Sequence, residues 1–117
     1  MRLEARKYLY DMQRAAEALA TFTAGKTFDD YQADALLRSA VERQFEIIGE
    51  ALVRLARVDV QTAERISDHR RIIAFRNVLI HGYAEVDNRL VWGVPQRDLT
   101  PLRAEVDAML AADPSVN

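Results

Sequence analysis

Apolar positions along this chain recur at three- and four-residue steps almost throughout, the spacing of one face of an α-helix. The first run spans about Leu3 to Thr23, where Tyr8, Met12, Ala15, Ala16, Leu19 and Phe22 share a side and Gly25 follows as a stop. After the loop Lys26-Thr27-Phe28-Asp29-Asp30, a second run from about Tyr31 to Val58 carries Leu37, Val41, Phe45, Ile48, Leu52 and Leu55. Its length predicts one extended helix at the centre of a bundle. Glu42, Glu46 and Glu50 fall at successive four-residue steps and form a second, acidic stripe on the same helix.

A shorter helix is expected over Val60 to Ile66. Ser67 or Asp68 then reads as the N-cap of a helix carrying Arg76 and His81, and Gly82 as the residue that ends or distorts it. The last segment, Arg89 to Ala112, includes Leu90, Val91 and Trp92, then Leu99, Leu102, Val106, Met109 and Leu110. Pro95 should break or bend it, and Pro101 should do so by removing an internal donor. Strand signals are almost missing, with no Asn-Gly or Asp-Gly hairpin turn. The pattern predicts an all-α antiparallel bundle of four main helices plus short pieces. One domain is expected over residues 1–112, with 113–117 a frayed tail.

Composition narrows the chemistry. At 117 residues the chain suits one domain, and with 50% hydrophobic and 29% charged residues it is a folding chain rather than a disordered one. The absence of cysteine excludes a disulfide framework, a thiolate metal site and a cysteine nucleophile. No apolar run approaches the roughly 20 residues needed to span a bilayer, and no apolar stretch follows the charged start as a signal peptide requires. A cytoplasmic protein without a membrane partner is expected. Net charge is −2, so no global footprint for nucleic acid exists. Contact with an anionic polymer must come from local clusters such as His69-Arg70-Arg71 followed by Arg76. Only two histidines are present, without HExxH or paired-aspartate spacing, so a metal centre fits poorly. A glycine-rich phosphate loop is also missing, which argues against an ATPase; no cofactor is expected.

Arg76 is the anomaly. At roughly 100° per residue, Ile72, Ile73, Leu79 and Ile80 all lie within about 60° of its direction. A cation on that apolar side should meet a carboxylate, a phosphate or a subunit interface. One reading is a buried salt bridge to Glu46 or Glu50; the same carboxylate could also hold the guanidinium ready for a phosphate. A histidine near a helix end often serves as a cap, and a tyrosine there as an aromatic wedge. Yet Asn77 and His81 share a side at i,i+4, and Arg76 and Tyr83 share an adjacent one at i,i+7. An imidazole exchanges protons around neutrality, and a guanidinium stabilises charge developing on a phosphate. Those are parts for metal-free RNA cleavage: a base for the 2′-hydroxyl, a cation for the phosphorus, an acid for the leaving oxygen. One histidine does not easily serve as both base and acid, and a two-fold dimer would supply a second.

The pattern Arg76-Asn77-x-x-x-His81-x-Tyr83 resembles that of the HEPN superfamily, specifically the HepT-like toxins. The stretch Phe45-Glu46-Ile47-Ile48-Gly49-Glu50-Ala51 resembles that family's "EIIGEA" helix. Ile72-Ile73-Ala74-Phe75 resembles its approach to the motif, and Val86-Asp87 through Val91-Trp92 its "VD…VW" segment. Asp98-Leu99 with Pro101-Leu102 is similar to its "DLP.L" ending, the proline one residue later. The likeness runs from about Leu3 to Leu110. Gly82, where the family often has a larger or acidic residue, and Ala84-Glu85, in place of an aromatic-glycine pair, depart from it.

The resemblance implies a homodimeric, metal-independent endoribonuclease toxin with its cleft at the dimer interface. Its partners would be an RNA substrate and a nucleotidyltransferase antitoxin that adenylylates the motif tyrosine, here Tyr83. It implies that His81 transfers protons, Arg76 binds and stabilises the phosphate, Asn77 orients one or the other, and Tyr83 is a site residue and modification target. The alternative is a non-catalytic HEPN module that binds nucleotide or presents substrate to a nucleotidyltransferase.

Overall fold

The computed structural model describes residues 1–82 and 86–113, with the backbone alone at 95 and 96. Helix α1 runs Leu3–Thr23, α2 Phe28–Ala33, α3 Ala35–Val58, α4 Val60–Glu64, α5 His69–His81, α6 Asn88–Val94 and α7 Thr100–Ala112. A π-helical turn, Pro95–Leu99, joins the last two. Four long helices and short connecting ones make the all-α bundle that the periodicity predicts, with no strand among the described residues.

The first helix has the expected bounds but a shifted apolar face. Ala5, Leu9, Met12, Ala15, Ala16 and Leu19 are buried, whereas Tyr8 and Phe22 are only half-buried at its flanks. Gly25, at φ 71°, then turns the chain in the left-handed region that glycine adopts without cost.

The second expected helix is two. Thr27 and Asp30 form a capping box, the Thr27 hydroxyl accepting from the Asp30 amide and the Asp30 carboxylate from the Thr27 amide, so a helix starts earlier, at Phe28. Asp34 then leaves helical geometry (φ −117°, ψ 99°), and its carboxylate accepts from the Leu36 and Leu37 amides at 3.0 and 3.1 Å. A short acidic side chain that satisfies two orphan donors beats continuing the helix. Asp34→Ala should cost about 1 kcal/mol, read as a lower urea midpoint with unchanged slope. The corner buries Tyr31 completely against Trp92, ring centroids 5.2 Å apart.

Helix α3 is the spine, packed on α1 along one side and on α5 along another. Every member of its expected stripe, Leu37, Val41, Phe45, Ile48, Leu52 and Leu55, is buried. At the start of α5, Asp68 holds the N-cap position in left-handed backbone (φ 57°), yet its side chain makes no cap bond and pairs instead with Arg71 at 3.1 Å. Ser67 is not a cap either: its hydroxyl donates to Glu105 of α7 at 2.8 Å, tying the turn across the bundle.

Neither proline breaks the last segment. Val94, Leu99 and Thr100 all keep right-handed helical backbone, and the switch to π spacing begins at Pro95. Pro101 falls in the first turn of α7, where a missing amide hydrogen costs little. Asp87 starts α6 by accepting from the Arg89 amide at 2.9 Å. At the far end Asp113 is buried, 3.6 Å from the Arg6 Nε. The expected tail beyond it lies outside the described residues. No described helix is long and apolar enough to cross a membrane.

Candidate active site on helix α5

The apolar side of α5 packs Ile72, Phe75 and Leu79 into the core, Phe75 edge-on to Phe45 of α3 with centroids 5.2 Å apart. Arg76 sits within that side, its side chain 22% exposed. Room for its stem comes from α3: a Cβ placed on Gly49 would lie 2.2 Å from the Arg76 Cβ and 2.4 Å from its Cγ. A glycine in mid-helix, costing about 1 kcal/mol against alanine, is thus explained by the close crossing of two helices.

The guanidinium emerges beside Glu50. Nη2 donates to the Glu50 Oε2, and Nη1 donates to the Asn77 Oδ1 at 2.7 Å. The other carboxylate oxygen, Oε1, accepts from the Arg54 Nε at 2.9 Å. Hydrogen bonding from Arg54, with the charge of Arg76 adding to it, holds the Glu50 carboxyl below its ordinary range. Of the two carboxylates expected opposite Arg76, Glu46 is turned to Arg43 at 3.6 Å. Burial, then repulsion from Glu46, pushes the Glu42 carboxyl up. The acidic stripe is therefore three different environments.

His81 is the last residue of α5 and is exposed. Gly82 ends the helix as expected, its amide donating to the Val78 carbonyl at 2.7 Å. Its φ of −104° is open to any residue, but a Cβ there would sit 2.7 Å from the same carbonyl oxygen. Asn77 and His81 lie one turn apart on the helix, and both are exposed. Tyr83, the remaining motif residue, lies outside the described residues, as do Ala84 and Glu85. Among the described residues, no three carboxylate or imidazole groups converge as a metal cage would.

Arg76, Asn77, His81 and Glu50 are site candidates from the sequence, whereas Arg54 and the packing role of Gly49 emerge from the structure. Arg54 was visible as an i,i+4 partner of Glu50, and Gly49 as a lone glycine within a helical run.

Since the folded carboxyl of Glu50 titrates below its unfolded value, its stabilising effect is present above the ordinary pKa of about 4.3 and lost as the pH falls through the lowered one. Wild type should exceed Glu50→Gln in urea midpoint by a small margin at neutral pH, small because the pair is part-exposed. The margin should close below about pH 4. A margin that ignores pH would show that the ion pair contributes nothing.

An arginine fork, an amide and an exposed imidazole along one helix are groups that can bind a phosphate and exchange a proton. The family is shown by comparison: residues 12–109 match the family model described as ribonuclease HepT-like, and the chain belongs to that family. A Thermococcus cleftensis protein named as a probable ribonuclease HepT is 30% identical over 109 residues, 93% of this chain and 98% of its own. A Methanocaldococcus jannaschii protein bearing an RNase name is 29% identical over 104 residues, 89% of this chain and 94% of its own. A longer protein of the same organism, named for both gamma-glutamylcyclotransferase and RNase, is 32% identical over 106 residues; the match covers 91% of this chain and 47% of that one. No solved structure matches the chain.

Proposed function

We propose that this protein is a metal-independent endoribonuclease toxin of a toxin–antitoxin pair, acting as a homodimer whose two α5 helices share one cleft. The observation that carries the reading is Arg76: a cation built into the apolar side of α5, with its fork held by Glu50 and Asn77 at the outer edge. Those two bonds use two of the five guanidinium donors, and the rest suit the non-bridging oxygens of a phosphate.

In the cleft, His81 takes the proton from a ribose 2′-hydroxyl, whose oxygen attacks the adjacent phosphorus. Arg76 bears the charge that builds on the phosphoryl oxygens, and the partner's His81 gives a proton to the departing 5′-oxygen. The products are a 2′,3′-cyclic phosphate and a free 5′-hydroxyl. Support for the dimer comes from the flank of α5. Val78 and Leu90, 46% and 45% exposed, border an apolar pocket of about 230 Å³ lined by Phe45, Phe75, Val94 and Leu99. Exposed apolar side chains beside an apolar pocket suit such an interface. Val78 is one turn from His81, so a copy seated there would bring the second imidazole close. Adenylylation of Tyr83, two residues after His81 in the chain, by a nucleotidyltransferase antitoxin would add an anionic nucleotide that repels RNA.

The test is RNA cleavage by purified protein in chelator, with mass spectrometry of the new ends. Scission with a cyclic phosphate that disappears in Arg76→Ala and His81→Ala supports the reading. Binding of RNA or ATP without scission would replace it with the non-catalytic alternative. Mass analysis of Tyr83 after co-expression with the antitoxin tests the modification, and an unmodified tyrosine in a neutralised toxin would point to masking.

A further inference from the structure

We propose that the pocket between α1 and α3 is a subsite for the nucleotide that flanks the scissile link, taking its base on Tyr8 and the phosphates on either side of it on Arg43 and Arg54. This rests on the ribonuclease reading and extends it away from α5. The pocket has a volume of about 200 Å³, with Ile47 and Ala51 as its apolar lining. It opens next to Arg76 because one carboxylate serves both places: Glu50 holds Arg54 with one oxygen and Arg76 with the other. From Arg54 to Arg43 the same side of α3 extends about 16 Å, at 1.5 Å per residue.

The charges suit a polyanion better than their formal balance suggests. Lys7 is paired with Asp11 at 3.2 Å, Arg43 with Glu46 at 3.6 Å, and Arg54 with Glu50 at 2.9 Å. Arg76 leans on Glu50 as well, so four cations meet three carboxylates. The Lys7, Arg43 and Arg54 side chains are 67%, 68% and 55% exposed, and ion pairs so open to water contribute little. Exchanging such a partner for an RNA phosphate costs little and gains counterion release. Tyr8 supplies the other half of the subsite. It is half-buried at the edge of α1, and the Lys7 Nζ lies 5.4 Å from its ring centroid. It lines the pocket together with Arg54, whose guanidinium is held above its ordinary range by Glu50 first and by the Tyr8 hydroxyl second. An aromatic face steadied beside an arginine is how proteins take unpaired bases, with little demand on sequence.

The test compares cleavage of two substrate pools: dinucleoside monophosphates, which lack a flanking nucleotide, and randomised hexanucleotides with one ribose at the third position. The quantity read is the ratio of kcat/KM for the long pool over the short one. Wild type should prefer the long pool. Tyr8→Leu, which keeps the apolar volume but loses the ring, should reduce that preference about tenfold, and Tyr8→Phe should keep most of it. Arg43→Ala should flatten the dependence of log KM on log salt for the long pool by roughly 0.7. Preference and salt slope unchanged in Tyr8→Leu and Arg43→Ala would overturn the subsite while leaving the ribonuclease intact. Wild-type protein that cuts neither pool would overturn the ribonuclease reading itself. Urea midpoints of each variant confirm that folded protein is compared.

Discussion

Replacing His81 with alanine should slow RNA cleavage by about 10²- to 10⁴-fold, the range in which a positioned proton-transfer group contributes. The fold should hardly notice. His81 is exposed at the end of α5, so its truncation should change stability by no more than about 0.5 kcal/mol. Arg76→Ala should lose about 10²- to 10³-fold by removing a donor to the developing phosphoryl charge. Its effect on stability should also be mild, since Glu50 keeps Arg54 as a partner. Initial rates on RNA in chelator, with urea midpoints beside them, separate catalysis from folding. An His81→Ala protein that cleaves at the wild-type rate would remove this residue from the mechanism.

The second large effect belongs to a residue with no side chain. Gly49→Ala places a methyl group 2.2 Å from the Arg76 Cβ, a distance that real Cβ atoms do not tolerate. The obstruction is the root of the arginine stem rather than its flexible end, so α3 and α5 must move apart. Overpacking of this kind costs about 1–3 kcal/mol, towards the upper end for so close an overlap. Alanine regains about 1 kcal/mol of helix propensity over glycine, which leaves a net loss of about 1–2 kcal/mol. Activity should fall further than stability, because displacing a positioned group by about 1 Å can cost up to about 10²-fold. Denaturant midpoints and cleavage rates measure the two effects. A Gly49→Ala protein as stable as wild type would mean that propensity outweighs the helix crossing.

Much of this was written into the local order of residues. The bounds of α1, the buried stripe of α3 and the helical class follow from apolar spacing, because each helix must turn one side inward whatever its neighbours are. The placement of Arg76 on an apolar side, and its need for a carboxylate from the acidic stripe, were legible for the same reason. So was the motif of Arg76, Asn77 and His81.

Other features depend on which helices meet. Leu9 rather than Tyr8 faces the core where α1 packs on α3, and Tyr8 lines the pocket between the two helices. The long second helix breaks at Asp34 since a local cap competes with propagation, and the corner this creates is filled by Tyr31 against Trp92, 61 positions away. Ser67 turns to Glu105 of α7 rather than capping its own helix, because the packing of α7 brings that carboxylate to both its hydroxyl and its amide. Glu46 and Glu50 are equivalent by periodicity, a single turn apart. The crossing of α3 and α5 at Gly49 separates them, bringing the arginine fork level with Glu50 and leaving Glu46 to Arg43. Spacing along the chain decides which way a side chain faces, but its partner is set by where two helices touch, and that contact joins residues 26 positions apart.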